Sequence, residues 1–396
     1  MQDLWFAGLF VLALAIGWFL GRRQAVRIGV MPGPHGSALD RQYFIGLNHL
    51  LDEQPDEALE AFVRALEINP ETVETHIAIG KLFRQRGDVQ RAIRIHQNLL
   101  ARPALPTTQS DRVQLELARN YLAVGLDPRA GQLLDQLIAG SSVKAEALAD
   151  RVRLSERERD WQQAVEYGTL LYRERPQFAV TLSHYYCELA EKLLRAGSVR
   201  SARSRLRMAM KKDPRSLRAM LMLAELEHEQ GRPAQARRWL LRLACEDMAL
   251  IPQSLPLIHR MAAVGQLDVL EYLDKIHRTQ APSTDTLLLQ AETVRQRDGS
   301  LAAEQLMLRQ LQRIPSLQGL LYLVDLRLER QKGNGPEQLL ELRQIIRSLY
   351  AVRMNYRCDG CGFSAKAMHW QCPACHAWST MRRLDQAEPA AAQTAH

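Results

Sequence analysis

A repeat of 34 residues runs through most of this chain, and no other feature restricts its fold so strongly. Small residues recur at Gly46, Gly80, Ala118, Ala190 and Ala224, the eighth place of each unit. They recur again at Ala58, Ala92, Ala130, Ala164, Ala202 and Ala236, the twentieth place. Large apolar side chains follow at Phe62, Leu134, Leu206 and Leu240, one helical turn further on. Gly87, Gly125, Gly197 and Gly231 separate the two apolar stretches of a unit, and Pro70, Pro176 and Pro214 close units. Each unit therefore reads as two helices joined by a tight turn, with small residues allowing close approach and large ones filling the gaps. Unit starts near 39, 73, 111, 145, 183, 217 and 251 are 34 or 38 apart, which places four extra residues in some linkers.

This alternation resembles the tetratricopeptide repeat. It predicts an all-α chain, a superhelical solenoid over residues 39–350 in which each unit touches mainly its neighbours. After residue 250 the register fades. Leu287–Leu311 and Leu320–Leu349 keep helical spacing, with breaks at Gly299 and at Gly333-Asn334-Gly335-Pro336, so one or two degenerate helix pairs are expected there. Packing accounts for the repeat residues, and none of His49, His96, His184, His259 and His277 is given a binding role. Cys187 and Cys245 read as small buried hydrophobes.

The remaining four cysteines form a pattern of their own. Cys358-Asp-Gly-Cys361 and Cys372-Pro-Ala-Cys375 are two Cys-x-x-Cys pairs with ten residues between them. Each pair can fold back so that both sulfurs face one centre, and Gly362 and Pro373 suit the tight turns this needs. Four thiolates make a closed tetrahedral site, which holds structure and leaves no position for substrate. Zinc is expected at Cys358, Cys361, Cys372 and Cys375, with iron the alternative. Two disulfides would need an oxidising compartment, and a thioredoxin-type pair would need a βαβ pattern that is missing. A module this small relies on its metal for folding free energy. Phe363, Trp370 and Trp378 read as its minimal core or, alternatively, as exposed anchors for a partner.

At the other end, Leu4 to Gly21 carry no charged or strongly polar side chain. Eighteen helical residues reach roughly 27 Å, close to the hydrocarbon thickness of a bilayer. Trp5 and Trp18 suit the interfaces, and Arg22, Arg23 and Arg27 follow at once, which keeps that end on the cytoplasmic side. A cleaved signal peptide would carry its positive charge ahead of the apolar run. The reading is a single-pass anchor over 1–21 with the N-terminus outside, a Gly/Pro linker over 22–38, the array over 39–350, the metal module over 351–381 and a disordered tail over 382–396.

The formal net charge of +8 is spread along the repeats, as in Arg200-Ser-Ala-Arg203-Ser-Arg205-Leu-Arg207, and suits solvated helix faces or an anionic inner leaflet. A nucleic-acid-binding zinc ribbon on a helical scaffold is the alternative reading, although no nucleic acid is expected as a partner. No glycine-rich phosphate loop, Gly-x-Ser-x-Gly or His-Glu-x-x-His is present, so no enzyme activity is expected.

Taken together, Leu20-Gly21-Arg22-Arg23, Leu82-Phe83-Arg84-Gln85-Arg86-Gly87, Arg91-Ala92-Ile93-Arg94-Ile95-His96-Gln97, His184-Tyr185-Tyr186-Cys187-Glu188-Leu189-Ala190 and the cysteine segment from Tyr356 to Ser379 resemble the lipopolysaccharide assembly protein B family. The resemblance implies a rubredoxin-type metal module and a non-catalytic adaptor at the inner membrane. It also implies partners: the membrane protease FtsH, the deacetylase LpxC whose degradation the family promotes, and other inner-membrane lipopolysaccharide assembly proteins. A homodimer is left open.

Overall fold

The computed structural model describes residues 73–103, 105–330, 337–352 and 354–384, with single positions at 45, 48, 49, 57 and 61. The proposed anchor over 1–21, the linker over 22–38, most of the first repeat and the tail beyond Leu384 lie outside the described residues. Among the described residues no helix is long and apolar enough to cross a membrane.

The chain divides into two units, Met1–Leu154 and Ser155–His396. The first contains α1 (Val73–Gln85), α2 (Val89–Leu100), α3 (Thr107–Ala123), α4 (Asp127–Gly140) and most of α5 (Lys144–Arg157), within which the division falls. The second contains α6 (Trp161–Glu174), α7 (Ala179–Arg195), α8 (Val199–Lys212), α9 (Leu217–Glu229) and α10 (Pro233–Glu246). It continues through α11 (Ile251–Ala263), α12 (Val269–His277), α13 (Thr284–Asp298), α14 (Ser300–Leu311), α15 (Leu317–Arg330) and α16 (Glu337–Val352). The array is the tetratricopeptide-type stack of helix pairs that the repeat predicts.

The repeat residues do what their sizes require. Ala92, Ala118, Ala130, Ala164, Ala190, Ala202, Ala224 and Ala236 are fully buried where helices meet. Leu134, Leu206 and Leu240 are buried just as completely, each contributing roughly 1.5–3 kcal/mol. Gly87, Gly125, Gly197 and Gly231 all end a first helix with φ between +67° and +86°, a left-handed conformation that costs a side chain about 1–2 kcal/mol. The corresponding place between α5 and α6 is Arg159, held at φ +55° without a glycine.

Two expectations change. The four extra residues of the longer units are not in linkers: α3 and α7 have 17 residues each, against 13 in α1, α9 and α11. Four residues make about one helical turn, so the insertion lengthens a helix without disturbing the turns beside it. Cys245 is exposed near the end of α10, whereas Cys187 is buried as expected. Beyond residue 250 the degenerate pairs are α13 with α14 and α15 with α16, after the pair begun at Ile251.

In the first unit a polar chain runs beneath α1 and α3. Arg84 Nη2 meets Glu116 Oε2 at 2.8 Å, and Arg84 Nη1 donates to Asn120 Oδ1 at 2.7 Å. That contact turns the Asn120 amide so that its Nδ2 donates to His96 Nδ1 at 2.8 Å, which requires a neutral ring. Burial pushes the His96 pKa the same way, down to about 4. Gly80 lies directly against this imidazole, leaving no room for a Cβ.

Candidate metal centre and its clasp

After α16 the chain changes character. Three short strands, β1 (Tyr356–Cys358), β2 (Ser364–Ala365) and β3 (Met381–Arg383), form an antiparallel sheet in the order β2-β1-β3. Tyr356 pairs with both Ala365 and Arg383. The sheet continues past residue 381, the boundary read from the sequence: Arg382 and Arg383 belong to β3, and Leu384 N donates to Asn355 O at 2.9 Å. Strand pairing sets that limit, and composition could not show it.

Two matching knuckles build the site. Gly362 N donates to Cys358 O, and His376 N donates to Cys372 O, both at 2.9 Å. Each knuckle turns through a left-handed residue just after its second cysteine, Gly362 at φ +75° and His376 at φ +57°. The four sulfurs converge within 4.8 Å of one another, with Cys358–Cys375 and Cys361–Cys372 each at 3.7 Å. A tetrahedral ion with metal–sulfur bonds of about 2.3 Å sets its sulfurs about 3.8 Å apart, so the set fits one metal ion. Cys358 Sγ is hydrogen-bonded to the Thr380 hydroxyl at 3.2 Å, the contact that does most to bring that thiol down to about 6, toward the thiolate a metal takes. Cys358 and Cys372 are buried, while Cys361 and Cys375 are exposed.

The module's core is Tyr356, Cys358, Ala365, Cys372 and Met381, with Phe363 and Met368 against it. Trp370 and Trp378 do not join that cluster. Their partners lie on the helices.

Trp378 stacks on His184 of α7, with ring centroids 4.8 Å apart and planes at 20°. It meets Tyr185 and Trp161 edge-on at 6.1 and 6.4 Å. Its Nε1 donates to Glu156 Oε1 at 2.7 Å, and Gln371 Nε2 donates to the same oxygen at 2.6 Å. Tyr185 OH donates to the other carboxylate oxygen at 2.7 Å. Ser379 Oγ lies 2.6 Å from His184 Nε2. Burial, with Arg218 adding to it, pushes the His184 pKa down to about 3 and keeps the ring neutral. Trp370 and Met368 pack against Met220, Leu243 and Leu250. Gln253 of α11 donates to Tyr356 OH at 2.9 Å. At the far end Arg383 grips the buried Asp285 of α13 with two hydrogen bonds, Nη2–Oδ1 measuring 3.1 Å.

The polar contacts on α5, α7, α11 and α13 all come from first helices of their pairs, and Met220 adds α9. The ribbon is thus laid along one face of the array. Sequence reasoning placed the cysteines but gave no role to Glu156, His184, Gln253, Asp285 or Arg383. The available signal was a histidine beside Ser183 on a helix whose spacing calls for apolar residues; both are buried.

Residues 356–383 match the model of the rubredoxin metal binding domain, and residues 45–106 and 187–253 match the tetratricopeptide repeat. The lipopolysaccharide assembly protein B of Escherichia coli strain K12 is 32% identical over 381 residues, which are 95% of this chain and 97% of that protein. The chain belongs to the lipopolysaccharide assembly protein B family. The Haemophilus influenzae member of the family is 30% identical, over 96% of this chain and 98% of its own. Among solved structures, MamA is 21% identical with a TM-score of 0.36, covering 45% of this chain and 93% of that one.

Proposed function

We propose that the protein is a non-catalytic inner-membrane adaptor of lipopolysaccharide assembly that promotes degradation of LpxC by FtsH. A single N-terminal span tethers it, its body lies in the cytoplasm, and other inner-membrane lipopolysaccharide assembly proteins join it there. Kinship with lipopolysaccharide assembly protein B along 95% of the chain carries this reading. The clasp supports it as well. Trp370 and Trp378, which a nucleic-acid ribbon would offer to bases, are engaged by the array. An adaptor needs no chemistry of its own: holding substrate and protease on short tethers raises their effective concentration to the order of mM.

The four cysteines would hold zinc as a structural ion that fixes the knuckle carrying Trp378. Metal analysis of the purified chain should find one zinc per molecule. A stoichiometric iron content would overturn that assignment. For the function, LpxC lifetime is measured in cells depleted of their own family member. The full chain should shorten it only when FtsH is active. An unchanged lifetime would refute the adaptor.

A further inference from the structure

The outer surface of α8 carries a charge pattern that neither the packing nor the clasp uses. Its 14 residues hold Arg200, Arg203, Arg205, Arg207, Lys211 and Lys212, and no acidic residue. Like charges this dense repel one another along a helix. The flanking second helices differ, since α6 carries Glu166 and Glu174 and α10 ends in Glu246. Two of the six cations are occupied: Arg203 pairs with Glu227 at 2.8 Å, and Lys212 Nζ lies 4.3 Å above the Tyr172 ring. Arg200, Arg207 and Lys211 are exposed and pair with nothing among the described residues. With Ser204 they stand at i, i+4, i+7 and i+11, a single stripe about 16 Å long.

We propose that this stripe rests on an anionic phospholipid surface. A single-stranded nucleic acid would call for aromatic platforms and an acidic protein for apolar anchors, and between these cations the stripe offers only Ser204. A sheet of anionic headgroups needs neither. Each cation near such a surface favours contact about fivefold, so three favour it about a hundredfold. The proposal rests on the membrane tether proposed above, which would keep α8 within reach of the bilayer.

The test uses the full chain with p-benzoylphenylalanine in place of Ser204, reconstituted in nanodiscs and irradiated. Discs containing phosphatidylglycerol should give a lipid adduct at this position. The adduct should fall at least tenfold in discs of phosphatidylcholine alone, in high salt, or in the R200Q/R207Q/K211Q variant. R200K/R207K should retain it, because a headgroup field reads charge. Equal adducts in neutral and anionic discs would overturn the proposal, and so would none in anionic discs. Entry into neutral discs reports the tether separately: a chain that fails to enter them refutes the anchor, while the adduct in anionic discs still decides the stripe.

Discussion

Replacing Trp378 by alanine should release the ribbon from the array while leaving its metal site complete. The side chain makes one hydrogen bond to the Glu156 carboxylate and ring contacts with His184, Tyr185 and Trp161. A hydrogen bond to a charged acceptor is worth about 1.5–3 kcal/mol, and each aromatic pair about 0.5–1.5. The lower ends of these ranges already give a loss of about 3 kcal/mol. The isolated module is small and only marginally stable, so docking adds its free energy directly to the protection of ribbon amides. At about 1.4 kcal/mol per decade, ribbon peptides spanning 356–383 should exchange their amide hydrogens roughly 150-fold faster in the variant. Trp378→Phe, which keeps stacking and loses the N–H, should give about a tenfold rise. Metal content, measured in parallel, should stay at the wild-type level. A rise below about fivefold with metal retained would show that this ring does not hold the ribbon.

Three further outcomes test the array. Gly80→Ala would drive a Cβ into the His96 imidazole and should cost about 1–3 kcal/mol, read as a lower Tm; a neutral result would mean that α1 and α2 can separate freely there. Arg159→Gly removes a left-handed non-glycine residue and should raise Tm, with a gain of up to about 1 kcal/mol; a fall would show that the arginine side chain outweighs its backbone strain. His96 and His184 are held neutral, down to about 4 and about 3, so the unfolded chain binds more protons below pH 6.5. Stability is therefore full above pH 6.5 and lost as pH falls toward 4, by on the order of 3 kcal/mol for His96 alone; His96→Gln should flatten that slope, and an unchanged slope would refute the assignment.

The array was legible because its information is local and repeated. Ala92, Ala130, Ala164, Ala202 and Ala236 recur every 34 or 38 residues, and a small residue at a helix contact leaves the same mark each time. The cysteines were legible for a similar reason, since coordination geometry imposes a short spacing. The clasp was not. Trp378 is 194 residues from His184, and Arg383 is 98 from Asp285, so no window of sequence contains both members of either pair. Trp370 and Trp378 looked like core material because an aromatic residue in a small module usually is; the module is instead closed by Tyr356, Met381 and its own sulfurs. The extra helical turns of α3 and α7 escaped because the alternation fixes where helices touch and not where they begin.

The make-up of the clasp separates strength from placement. Its apolar part, Trp370 and Met368 over Met220, Leu243 and Leu250, would tolerate sliding along the helices. Its polar ends would not. Glu156 must meet Trp378 and Gln371 at one oxygen, and Asp285 must meet both arms of Arg383. Removing one partner of a buried pair costs about 3–5 kcal/mol, because the other charge stays behind, whereas replacing both by apolar side chains is often neutral. The Asp285–Arg383 pair therefore adds little net strength and much selectivity, since any other register strands a carboxylate. The ribbon is held at both ends, at Glu156 and at Asp285, by contacts that permit one position, and the metal knuckle between them presents Trp378 at the place where the first of these contacts forms.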